Sequence, residues 1–107
     1  MTKRLLLIVN PCSGRAKMHT ELLKVIEILS AGGFSVTVYP TKYKGDATEY
    51  IATLEDGDFE TVVVCGGDGT LNEVITGIMN KGLNIKLGYI PSGTLNEWSS
   101  GLKISRN

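Results

Sequence analysis

A chain of 107 residues, 42% of them hydrophobic, is long enough for one domain with a packed core, which excludes a disordered polypeptide. Its 11 basic and 11 acidic residues cancel, so no long-range field marks it as a nucleic-acid binder. No apolar run approaches the roughly 18–20 residues of a membrane span, and LLLIV at residues 5–9 gives way to NPCSG where a signal sequence would stay apolar. Cys12 and Cys65, with His19 as the only histidine, match neither a disulfide framework nor a metal-ligand spacing. Reduced thiols in a cytoplasmic protein are expected.

Residues 5–9 form a continuous apolar run closed by Asn10-Pro11, the pattern of a strand buried on both faces. Over residues 16–31, Met18, Leu22, Val25, Ile26 and Leu29 recur at spacings of three and four, predicting a helix closed by Gly32-Gly33. FSVTVYP alternates as a second strand over residues 34–39, ending at Pro40. A shorter helix is predicted over 46–54, with Asp46 placed to cap it. Residues 61–65 read as a third strand, and residues 69–80 as a helix carrying Leu71, Val74, Ile75 and Ile78 and ended by Gly82. IKLGYI is a fourth strand, and PSGTLNEW opens a turn into a last short helix.

A βαβαβαβ string with short connections implies parallel strands, right-handed crossovers and helices on both faces of the sheet. In such sheets ligands bind at the carboxyl ends of the strands. NPCSG, TKYKGDA, GGDGT and PSGT all fall on that edge. Glycines there present backbone N–H groups at the start of a helix, an arrangement suited to phosphate. Gly66, Gly67 and Gly69 fit that role, with Thr70 adding a hydroxyl. Neither GxxxxGK[ST] nor GxGxxG is present, which disfavours a P-loop hydrolase and a Rossmann dehydrogenase.

Asp68 sits awkwardly among anion-facing donors. It can bind a magnesium ion that bridges to phosphate, take a proton from an attacking hydroxyl, or serve only as a turn or cap residue. Glu73, one turn into the helix, can orient a ligand or favour the helix dipole. Ser13 and Gly14 offer a hydroxyl and a flexible backbone after the first strand. Thr41 can reach a nucleotide or cap its loop. The region of Tyr39 and Tyr43 supplies aromatic surface, and Trp98 is expected to be exposed.

VVVCGGDGTLNEVITGI, LGYIPSGTLNEW and the upstream NPCSG together closely resemble the diacylglycerol kinase catalytic domain family. That family includes bacterial lipid kinases, sphingosine kinases and ceramide kinases, and is distantly related to NAD kinases. The likeness covers essentially the whole chain through three ordered motifs, NPxSG, GGDGTxNEV and PxGTxNDF. It implies a three-layer α/β/α fold with a parallel sheet, like the N-terminal domain of NAD kinase and phosphofructokinase. It also implies ATP and Mg²⁺ as cofactors, and transfer of the γ-phosphate to a lipid hydroxyl.

By the same resemblance, Asn10, Pro11, Cys12, Ser13 and Gly14 border the nucleotide and Thr41 contacts it. Gly66, Gly67, Asp68, Gly69, Thr70 and Asn72 wrap the phosphates, with Glu73 counted beside them. Gly93, Thr94 and Asn96 close the pocket, and Asp68 takes the catalytic or magnesium-linked role. The family's Asn-Asp-Phe-Ala-Arg ending stands here as Asn96-Glu97-Trp98-Ser99-Ser100. A C-terminal β-rich domain, which supplies the lipid pocket in the family, is not part of these 107 residues. The expectation is therefore a nucleotide-binding domain, inactive alone, with peripheral membrane contact at the inner face in the full-length protein. An NAD kinase-like phosphotransferase and a non-catalytic nucleotide-binding module are the alternatives.

Overall fold

The computed structural model describes residues 3–11 and 16–91, with side chains from residue 22 onward in the first helix. Seven elements follow one another: β1 (Lys3–Val9), α1 (Ala16–Ala31), β2 (Phe34–Pro40), α2 (Asp46–Ala52), β3 (Thr61–Gly66), α3 (Asp68–Lys81) and β4 (Lys86–Pro91). All strand pairs are parallel, in the order β2-β1-β3-β4.

Every element expected over the described residues is present, with shifted ends. β1 begins at Lys3 because Lys3 and Arg4 pair with Phe34 and Ser35, and ladder pairing does not require apolar side chains. α2 stops at Ala52 rather than residue 54, since Thr53 N bonds Tyr50 O at 3.0 Å and Leu54 N bonds Ile51 O at 3.0 Å, tightening the last turn. Gly33 and Gly82 follow α1 and α3 in the left-handed conformation. The Leu83 N–H then reaches back to Ile78 O and the Gly82 N–H to Met79 O, a paired C-terminal closure. The segment PSGTLNEW, from Ser92 onward, and Trp98 lie outside the described residues.

The central strands account for the core. Leu5, Leu7, Val9, Val63 and Cys65 face α1, while Leu6, Ile8, Val62 and Val64 face α2 and α3. Leu5 to Val9 are all buried, as a strand covered on both faces must be. Edge strand β2 is less regular: Phe34 and Val36 pack against the α1 side, but Val38 is 38% exposed. The result is one layer of α1, the sheet, and a second layer of α2 with α3. Buried Cys65 has its thiol pushed up to about 12 by burial alone, which leaves it protonated and unreactive.

Candidate functional site

The strand order determines where a cleft opens. From β1 the chain steps to β2 on one side, then crosses to β3 on the other. The loops leaving β1 and β3 therefore part company, and the space between them is the ligand crevice of open parallel sheets. Three hydrogen bonds knit its floor. Asn10 Nδ2 donates to Thr70 Oγ1 at 3.2 Å, Asn10 N to Cys65 O at 3.2 Å, and Thr41 N to Val9 O at 2.8 Å. Buried Thr41 also directs its hydroxyl to Val9 O at 3.4 Å, so this residue ties the β2 loop to β1.

At the β3–α3 turn, Gly67 is the N-cap, with φ −91° and ψ 179° and no side-chain cap. That conformation is extended, and any residue adopts it. Glycine is therefore not required there by the backbone conformation. A Cβ added at Gly67 or Gly69 would meet nothing within 4 Å, so these positions leave bare backbone facing open space. Leu71 N makes the first intrahelical bond, to Gly67 O at 3.2 Å. The N–H groups of Asp68, Gly69 and Thr70 thus have no intrahelical acceptor, and they carry the positive end of the α3 dipole.

Asp68 is the first helical residue, not the cap, and its side chain is exposed. Its Oδ1 accepts a hydrogen bond from the Tyr89 hydroxyl at 2.9 Å. Burial of the ring, then the hydrogen bond to Asp68, raise the Tyr89 pKa. Tyr89 was not singled out from the sequence. The signal lay in its register, opposite Val64 and on the α2–α3 face of the sheet, which carries its hydroxyl toward the start of α3.

The neighbouring helix terminus is closed by the protein itself. Glu73 Oε2 accepts from Gly45 N at 2.9 Å, and its Oε1 from Ala47 N at 3.2 Å. Thr48 Oγ1 adds a bond to Glu73 O at 2.7 Å. Gly45, at φ 95°, is the N-cap of α2 and occupies the left-handed region that favours glycine. Asp46, expected as the cap, is instead the first helical residue. Its carboxylate turns back to the loop, accepting from Lys42 N at 2.7 Å and from the Tyr39 hydroxyl at 2.8 Å. Asp46 is the leading cause of a raised Tyr39 pKa. The Tyr39 ring stacks on Tyr50 with centroids 3.9 Å apart, so Tyr39 serves packing, while Tyr43 stays exposed.

A cavity of about 330 Å³ lies between these features, lined by Asn10, Thr41, Gly69, Thr70 and Glu73 together with Tyr43 and Lys44. Five residues expected at the site from sequence thus share one wall. Asn72 is exposed on α3 and off that wall, and Pro11 is half-buried beside Asn10. Cys12, Ser13, Gly14, Gly93, Thr94 and Asn96 lie outside the described residues. A larger hollow of about 540 Å³ opens at the opposite, amino-terminal ends of β1, β3 and β4, lined by Lys3, Arg4 and Phe59 among others. The smaller cavity is the better candidate, because the backbone donors and the strand ends converge on it.

Among the described residues no group of three or more His, Cys, Asp or Glu is placed to hold a metal ion. Asp68 alone suits an ion that takes one carboxylate and completes its shell from phosphate and water, as Mg²⁺ does. No helix of the described residues is long and apolar enough to cross a membrane.

A three-layer parallel α/β domain with an open helix N-terminus at its switch point defines the structural class. The diacylglycerol kinase catalytic domain model matches residues 4–107, and the chain belongs to that family. It is 39% identical over 104 residues to a diacylglycerol kinase of Staphylococcus saprophyticus, covering 97% of this chain and 34% of the relative. A diacylglycerol kinase of Staphylococcus carnosus is 38% identical over the same length, with 34% of it covered. A crystal structure of a diacylglycerol kinase from Bacillus anthracis superposes with a TM-score of 0.73 at 35% identity, over 83% of this chain and 30% of that one. The chain spans about a third of the length of the curated relatives it matches.

Proposed function

We propose that this chain is the nucleotide-binding domain of a lipid kinase that transfers the γ-phosphate of ATP to the hydroxyl of a diacylglycerol-like lipid. One contrast carries the reading. Of the two helices beside the cavity, α2 has its Gly45 and Ala47 amides taken by Glu73 and its Asp46 amide by Tyr43 O, while α3 leaves its own first amides open beside the exposed Asp68. An open helix N-terminus binds phosphate oxygens. Membership of the kinase family supplies the class of reaction.

In the reaction the lipid oxygen attacks the γ-phosphorus and the bond to the β,γ-bridging oxygen breaks, so ADP leaves and the hydroxyl loses its proton. The backbone donors of Asp68, Gly69 and Thr70 hold the phosphates in place. Asp68 would receive the hydroxyl proton or help hold a Mg²⁺ ion, which when bound would supply charge neutralisation. Tyr89 donates to one oxygen of that carboxylate and so helps fix its orientation.

Calorimetric titration of the chain with ATP, ADP and NAD in Mg²⁺ tests the reading. Saturable binding of ATP and ADP, with NAD much weaker, is expected. Tighter binding of NAD would move the chain to an NAD kinase-like function, and no nucleotide binding at all would overturn the proposal.

A further inference from the structure

We propose that Lys44 is the residue by which this cavity reads the phosphate charge of its ligand, setting a preference for triphosphate over diphosphate over monophosphate. The inference deepens the nucleotide reading above and rests on it.

Lys44 is the only cationic side chain among the described residues lining the cavity. The backbone that carries it is anchored on both sides: Thr41 N to Val9 O at 2.8 Å, Lys42 N to Asp46 at 2.7 Å, and Gly45 N to Glu73 at 2.9 Å. The side chains next to it are committed elsewhere. Lys42 Nζ lies 4.6 Å from the Tyr39 ring centroid and 3.5 Å from its hydroxyl. The Tyr43 hydroxyl donates to Glu49 at 2.6 Å, a bond that is the main reason its pKa is pushed up to about 12. The Lys44 ammonium has no hydrogen bond, ion pair or ring contact among the described residues.

The surroundings give that ammonium a function. A polyphosphate seated on the α3 N-terminus would meet two carboxylates, Glu73 on the cavity wall and Asp68 beside it. Glu73 is partly offset by two α2 amide donors, but a ligand carrying three or four negative charges needs a cation that stays with the protein. A lysine ammonium on a flexible stem serves as a movable point charge for phosphate. Its attraction grows with each added phosphate, whereas packing against a base or sugar would be indifferent to phosphate number.

The test is calorimetric titration of the whole chain with ATP, ADP, AMP and inorganic tripolyphosphate in Mg²⁺, for wild type, Lys44→Ala and Lys44→Arg. Lys44→Ala is expected to weaken ATP and tripolyphosphate about tenfold, the scale of one charge-assisted hydrogen bond, and AMP less than about twofold. Lys44→Arg is expected to restore most of the loss. If ATP binds equally well to wild type and Lys44→Ala, or if the loss is the same for ATP and AMP, the role of Lys44 falls while the nucleotide reading stands. If tripolyphosphate binds with the Lys44 dependence but ATP gains nothing over it, the charge reading stands and the nucleotide reading falls. Absence of binding by either anion overturns both.

Discussion

At Glu73 one carboxylate accepts from Gly45 N at 2.9 Å and from Ala47 N at 3.2 Å, and so fastens α3 to the N-terminus of α2. Its replacement by alanine leaves two amide donors unpaired at a helix start, where a lost cap costs about 1–2 kcal/mol. Glu73→Ala is therefore expected to lower the unfolding free energy measured in urea by that amount, with Glu73→Gln, which keeps one acceptor oxygen, losing less. A Glu73→Ala protein as stable as wild type would contradict the capping role. Neither this role nor that of Asp46 was legible in the sequence. Asp46 looked like the cap because it precedes an apolar run, but the cap position fell one residue earlier, on Gly45, and the acceptor came from a residue 28 positions away. A local pattern identifies a helix start; it does not say which carboxylate of the folded chain will reach it. The place of Gly69 and Thr70 on the cavity, by contrast, was legible because it depends only on opening a helix directly after a strand.

Between elements, the contact of α2 with α3 depends on Gly77. A Cβ added there would lie 2.8 Å from Ile51 Cβ, 3.0 Å from Ile51 Cγ2 and 3.2 Å from Thr48 O. Two effects oppose each other in Gly77→Ala. Alanine gains about 1 kcal/mol of helix propensity over glycine, while overpacking a close contact costs about 1–3 kcal/mol. The near atoms are a Cβ and a backbone carbonyl, which cannot swing aside, so the steric cost should win. A net loss of about 1–2 kcal/mol is expected in chemical denaturation, and a stabilised Gly77→Ala would show that the helices separate freely. Nothing in the sequence pattern of α3 marks Gly77. The apolar stripe itself predicted α3 well, because a period of three to four residues is local information. The partner that makes glycine necessary is 26 residues away, and only the packed pair reveals it.

For the molecule as a whole, the four-strand order β2-β1-β3-β4 places the candidate site at one end of the sheet and the larger hollow at the other. β3 alone has six residues, a separation of roughly 20 Å at about 3.3 Å per residue. Phosphoryl transfer needs the acceptor oxygen within about 3–3.5 Å of the phosphorus, so a lipid in the far hollow could not be phosphorylated by a nucleotide at α3. Alternation of strands and helices made the three-layer class legible from sequence, and the glycine-rich loops pointed to the edge where the candidate cavity opens. The acceptor side was not legible, because no sequence motif over the described residues marks a second ligand. The relatives are about three times as long. Under the proposed function, the 107-residue chain is expected to bind MgATP and to form no phosphorylated lipid when assayed with labelled ATP and mixed diacylglycerol vesicles. A full-length kinase carrying this domain is expected to turn over. Its Asp68→Asn variant should lose about 100-fold or more of kcat, the scale of losing a general base or a metal-linked carboxylate. Clear turnover by the isolated chain would place the acceptor site within these residues, and unchanged turnover in Asp68→Asn would remove that carboxylate from the chemistry.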